Sequence, residues 1–229
     1  PGGRAALAHA LGELGARLQA TALFPRLGSY LEVLAKLVER LRHSGRFASG
    51  LLDRHYAGFE RIREVYPWDD AALVSSHNDL HPGNILFDGT RLWLIDWDAA
   101  FRNDALLDMA VLTNFFASTP VLQASLLQGW LGRPPDRITL ARLLLMRQLG
   151  RLFYACTSAL FVAERQGGAL ETDLAAPSPA QFQAGVAQGS IVLGTVEAMR
   201  IGSKVSLATF MAGLNDPKFD QAIDALRRG

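Results

Sequence analysis

One stretch, residues 75–100 (SSHNDLHPGNILFDGTRLWLIDWDAA), limits what this chain can fold into more than any other. Two short apolar runs, 84–87 and 92–95, flank Asp88-Gly89, and that arrangement is a strong short-range signal for a tight hairpin turn. The spacing predicts paired strands over 84–87 and 91–95. Such a ribbon brings Asn84 and Asp96 near one of its ends, so that one ion could touch both. Everything around it reads as helix, so the ribbon is an insert in a mainly α fold.

Apolar residues Leu7, Leu11, Leu14 and Leu18 recur at helical spacing over 4–20, and Pro25 and Gly28 break the pattern. Ser29-x-x-Glu32 reads as a capping box opening a second helix, with Leu31, Leu34, Val38 and Leu41 on its buried face and Ser44-Gly45 at its end. A third helix is expected over 47–65, stopped before Pro67. No strand-like alternation precedes Pro67. Beyond the hairpin, helices are expected over 104–117, 121–130 and 136–165, the last ended by Gly167-Gly168. A loop over 169–179 leads to Ser178-Pro179-x-Gln181, a further helix start with Pro at its first position. Two more helices follow, over 204–214 and 217–228, the second capped by Asp216. The expectation is a single mostly helical domain over 1–229.

Composition narrows the function classes. The formal charge of +1 gives no electrostatic case for nucleic acid or an anionic membrane as partner. A single cysteine, Cys156, excludes an internal disulfide framework and fits a cytoplasmic location; its apolar helical setting reads as a buried, inert thiol. No stretch approaches the ~20 apolar residues of a membrane span. The opening Pro-Gly-Gly-Arg has neither signal-peptide architecture nor an initiator Met, which reads as a fragment or a processed chain.

His77, Asp79 and Asn84 stand in the order H-x-D-x-x-x-x-N, and the second apolar run ends on Asp96. Phosphoryl transfer asks for this set: a carboxylate facing the acceptor hydroxyl, then an Asn and an Asp that hold Mg²⁺. The reason is charge. A transferring phosphoryl group spreads negative charge over its oxygens, so an enzyme mainly positions and neutralises it. A competing reading makes His77, Asp79 and His81 ligands of a transition metal such as zinc. Against it, Pro82-Gly83 breaks any extended run, and no Cys or later His completes four ligands.

His77-Asn78-Asp79-Leu80-His81-Pro82-Gly83-Asn84-Ile85-Leu86, Leu94-Ile95-Asp96-Trp97-Asp98, Asn103-Asp104 and Asp108-Met109-Ala110 resemble the aminoglycoside phosphotransferase and choline kinase superfamily, which shares its core with protein kinases. The resemblance is specific over about 73–116. It implies a protein-kinase-like C-terminal lobe with a small β-hairpin at the site, using ATP and Mg²⁺ to phosphorylate a hydroxyl of a small molecule. Asp79 then matches the catalytic base, and Asn84 and Asp96 match the metal and nucleotide ligands. His77 matches a residue bracing the loop, and Asp108 one tying the next helix back to it. The HND opening and the Asn103-Asp104 and Asp108-Met109-Ala110 continuation lean towards choline and ethanolamine kinases. The family's N-terminal lobe has no counterpart: Gly2-Gly3 opens a helix, and Lys36, the lone Lys before the site, sits mid-helix. With that wall absent, weak nucleotide binding and little transfer are expected of 1–229 alone. A non-catalytic kinase-like binding module is the alternative.

Several other side chains have two readings. His81 lines the phosphate or only the loop. Asp98 contacts metal or a substrate cation, or forms an ordinary ion pair. Trp97, Phe101, Phe115, Phe116, Trp130 and Tyr154 supply an aromatic wall for a quaternary ammonium ion or plain core, with Trp97 and Phe101 the candidate substrate contacts. Asp104, Glu164, Glu171 and Asp173 favour a cationic substrate or are merely solvated.

Overall fold

The computed structural model describes residues 2–166 and 170–228. The elements run α1 (Arg4–Gln19), α2 (Tyr30–His43), α3 (Asp53–Val65), β1 (Val74–Ser76), β2 (Ile85–Phe87), β3 (Leu92–Leu94), β4 (Phe101–Asn103), α4 (Leu106–Phe116), α5 (Pro120–Leu131), α6 (Arg137–Gln166), α7 (Pro179–Ala187), α8 (Val196–Leu214) and α9 (Pro217–Arg228). This is the mainly helical fold the sequence predicts. The expected stop at Gly167-Gly168 lies outside the described residues.

The chain divides into two compact units. The first comprises Pro1–Ser29, Tyr66–Arg147 and Asp224–Gly229. Its hairpin is the expected one: β2 and β3 pair antiparallel, with Ile85 opposite Leu94 and Phe87 opposite Leu92. Asp88 builds the turn by accepting from the N–H groups of Thr90 (2.8 Å) and Arg91 (2.7 Å). A second antiparallel ribbon joins β1 to β4, with Val74 opposite Asn103 and Ser76 opposite Phe101.

Beside these ribbons α1, α4 and α5 pack closely. The buried face of α1 is Ala8, Leu11, Gly12, Gly15 and Leu18, whereas Leu7 and Leu14 of the expected stripe are only half-buried. Small residues take the inner face because α5 approaches at backbone distance. A Cβ on Gly12 would strike the Leu126 carbonyl oxygen, and one on Gly129 the His9 carbonyl oxygen. Gly15 likewise makes room for the Met109 methyl group of α4. The helix carrying Asp108 is thereby packed against α1.

The second unit comprises Tyr30–Val65 and Gln148–Ile223. Leu31, Leu34, Val38 and Leu41 form the buried face of α2, as their spacing predicts. The helix expected over 47–65 begins only at Asp53. Residues before it pair with a distant segment instead: Glu171 N–H donates to Arg46 O (2.8 Å) and Ala48 N–H to Glu171 O (2.9 Å), and Gly50 turns the chain at φ 81°. Glu171 also binds Arg46 (2.7 Å), Lys204 (2.6 Å) and Arg200 (3.2 Å) through its carboxylate. Burial pushes that carboxyl up, but the three cations outweigh it and hold it below its ordinary value. Ser178 and Gln181 cap α7 reciprocally, the capping box read from the sequence. α8 starts at Val196, earlier than the expected 204, because Thr195 accepts from Ala198 N–H (3.2 Å) and opens it.

Candidate active site

The site grows from Asp108, a wholly buried carboxylate near the start of α4. Its two oxygens accept from His77 N–H (2.9 Å) and Asn78 N–H (2.8 Å), clamping the loop after β1. Burial lifts the Asp108 carboxyl above its ordinary value, and the two N–H groups oppose that. Just before α4, the Asp104 carboxylate accepts from Leu106 N–H (2.8 Å), from Tyr66 Oη (3.0 Å) and from Arg142 (2.7 Å). Burial first, and then Asp104, push the Tyr66 hydroxyl well above its ordinary value, so it stays a donor. Asp104 is therefore committed to structure.

His77 is fully buried, and its Nε2 lies 2.9 Å from Ile95 O. A carbonyl only accepts, so Nε2 carries the proton. Ile95 N–H in turn donates to Asn84 O (3.1 Å). These two bonds hold the residue before Asp96 against both the loop and Asn84. Asp96 follows in the left-handed region at φ 61°, with its side chain exposed.

Pro82–Asn84 forms a single 3-10 turn whose cap is His81, the Nδ1 of which accepts from Gly83 N–H (3.0 Å). That leaves the proton on Nε2, which faces Asp79 Oδ2 at 3.5 Å. Asn84, 5% exposed, donates from Nδ2 to Asp79 O (2.9 Å) and Asp79 Oδ2 (3.2 Å). Asn84 Oδ1 and the Asp96 carboxylate are hard oxygens, the donor type that suits Mg²⁺. The zinc grouping does not assemble: His77 Nε2 is spent on Ile95 O and His81 Nδ1 on Gly83 N–H. Among the described residues no group of three or more His, Cys, Asp and Glu is arranged to hold a metal ion.

The aromatic candidates have different local settings. Trp97 packs on the His77 ring (4.8 Å between centroids) and meets Phe24 edge-on (6.2 Å). Phe115 lies 6.4 Å from the His81 ring. Phe101 and Phe116 are half-buried. Trp130 donates to Gln19 (2.8 Å), and Tyr154 stacks edge-on with Phe153 in the second unit. Asp98 is exposed. Glu164 is exposed and pairs with Arg40 at 3.2 Å, and Asp173 meets Lys204 at 3.3 Å. Sequence reasoning named Asn78 and Asn103 as motif residues but gave neither a role; they bind each other at 2.8 Å. The signal was the Asn between the loop His and Asp.

A turn clamped by a helix carboxylate, followed by a short hairpin that leads to the exposed Asp96, sits in a mainly helical protein-kinase-like C-terminal-lobe fold. The chain belongs to the phosphotransferase enzyme family, whose model matches residues 2–143. It superposes on a choline/ethanolamine kinase family protein from Mesorhizobium loti with a TM-score of 0.74 at 17% identity, covering 99% of this chain and 68% of that one. It also superposes on an ethanolamine kinase of Plasmodium vivax with a TM-score of 0.61 at 12% identity, covering 95% of this chain and 61% of that one. Protein LicA of Haemophilus influenzae is 37% identical over 65 residues, 28% of this chain and 19% of LicA. The chain thus spans about two thirds of the solved chains and a small part of the curated relative. Among the described residues, no helix is long and apolar enough to cross a membrane.

Proposed function

We propose that the protein containing this chain is an ATP-dependent phosphotransferase that phosphorylates a hydroxyl of a small molecule, with a choline- or ethanolamine-like alcohol as its acceptor. Asp79 orients that hydroxyl and takes its proton as the alcohol oxygen bonds to phosphorus and the bond to the leaving ADP oxygen breaks. Asn84 holds Asp79 through its amide nitrogen, and presents its amide oxygen to a divalent cation together with Asp96. Mg²⁺, when bound, neutralises charge on the phosphates. His77 and Asp108 keep the loop and the hairpin in register, while Asp98, Trp97 and Phe101 border the acceptor. The names of the relatives support the choice of acceptor class: a choline/ethanolamine kinase family protein and an ethanolamine kinase share the fold.

The observation that carries this reading is the joint placement of Asp79, Asn84 and Asp96, tied by the Asn84 amide and the Ile95–Asn84 bond. The test is acceptor-dependent ADP release by the complete reading frame containing this chain, with choline, ethanolamine, an aminoglycoside and a sugar alcohol. Turnover with choline or ethanolamine is expected. Turnover with the aminoglycoside alone would move the acceptor class. Nucleotide binding with no transfer to any acceptor would favour a non-catalytic binding module.

A further inference from the structure

Asn78 occupies a conformation that ordinary side chains avoid, with φ 67° immediately before Asp79. Its side chain is engaged on every polar atom. The Nδ2 group lies 2.7 Å from Ala99 O, 3.2 Å from Ser76 O and 3.2 Å from Phe101 O. Oδ1 accepts from Asn103 Nδ2 at 2.8 Å, and the backbone N–H donates to Asp108 at 2.8 Å. Ser76 and Phe101 are the facing residues that end the β1–β4 ribbon. The amide therefore adds one more rung to that ribbon. It also joins the strand entering the Asp79 turn to Ala99, in the segment leaving Asp96.

We infer that Asn78 is a positioning residue for the phosphotransferase reaction proposed above. Its amide locks the left-handed turn that aims the Asp79 carboxylate, and fixes that turn against the Asp96 segment. The inference rests on Asp79 being the base. No other common side chain combines the two requirements. Glycine adopts this φ freely but has no amide. Aspartate matches the shape and tolerates the φ, but sets an oxygen against three carbonyl oxygens. Alanine meets neither requirement.

The decisive variants are Asn78→Gly and, should that one fail to fold, Asn78→Asp, each made in the complete protein with and without Asp79→Asn. Three results are expected of either. kcat falls roughly 10- to 100-fold while the nucleotide KM changes less than about threefold, because a small misplacement of a reacting group costs about that much in rate. Backbone amide exchange across 77–84 accelerates relative to α1. In the Asp79→Asn background the further loss shrinks below about threefold, since a residue acting through Asp79 has nothing left to position. Equal losses in both backgrounds, or wild-type turnover with unchanged exchange, would overturn the inference. Absence of acceptor-dependent transfer in the wild type would instead defeat the functional reading. Exchange would then decide alone: faster exchange over 77–84 sustains Asn78 as the lock on the turn, and unchanged exchange removes it.

Discussion

Replacing Asp108 with alanine removes the one acceptor shared by a buried backbone donor, His77 N–H, and a half-buried one, Asn78 N–H. His77 N–H and Asn78 N–H lie 2.9 and 2.8 Å from the carboxylate, which is 0% exposed, so water does not replace it without rearrangement. A buried donor left unpaired costs about 1–3 kcal/mol and a half-buried one less, so the pair sets a loss of roughly 2–5 kcal/mol. The variant also relieves the penalty of burying a charge, which draws the expected net towards about 3 kcal/mol. Asp108→Asn keeps one acceptor and turns an NH₂ against the other donor, so its loss should be smaller. The pH dependence has a definite sign. Burial raises the folded carboxyl above its ordinary 3.8, so on acidification the native state takes up this proton before the unfolded chain does. The penalty of the buried charge is present at neutral pH and is relieved as pH falls through the folded value. Neither variant should show that contribution. Urea unfolding of the wild type and both variants measures the losses. An alanine variant within about 1 kcal/mol of wild type would refute the clamp.

His55, 3% exposed and stacked on Phe210, is pushed down to about 4 by burial, so it folds neutral. The unfolded chain, at the ordinary 6.5, takes up that proton first as pH falls, so stability should be full above 6.5 and decline towards pH 4. The loss is about 3 kcal/mol at ~1.4 kcal/mol per unit, and His55→Leu should flatten that part of a denaturation-versus-pH curve. Gly12→Ala should lower stability by about 1–3 kcal/mol or more, because its Cβ meets the backbone of α5 rather than a movable side chain; thermal unfolding reads the shift. Cys156, 0% exposed and with its thiol pushed up to about 12 by burial, should react with a thiol reagent only as the protein unfolds.

What the sequence made legible follows the range of the interactions involved. The hairpin was readable because Asp88 and Gly89 settle it within six residues of either strand, and the α7 cap because Ser178 and Gln181 bind each other locally. The β1–β4 ribbon was not. Its strands are three residues each, largely polar, and closed by a side chain, Asn78, rather than by a turn. Residues 47–52 carry helical periodicity, yet Arg46 and Ala48 bond to Glu171 far along the chain, and a distant carboxylate leaves no trace in local spacing. The expected face of α1 holds at Leu11 and Leu18, which are buried, but leucines were taken to mark the whole stripe, and Leu7 and Leu14 are only half-buried. Backbone-close packing against α5 selects Gly12 and Gly15 there instead. At the site, the motif order and the family resemblance single out Asp79, Asn84 and Asp96 as candidates. The locking of Asn78 by three carbonyls was not legible there, since two of them, Ala99 O and Phe101 O, belong to a segment the sequence separates from it.

The central claim is that Asp79 handles the proton of the acceptor hydroxyl. Asp79→Asn in the complete protein, assayed for acceptor-dependent ADP release beside a titration of nucleotide affinity, tests it most directly. The account predicts turnover slowed by roughly 10²–10⁴-fold with nucleotide affinity and unfolding midpoint close to wild type. Turnover within a few-fold of wild type would contradict it.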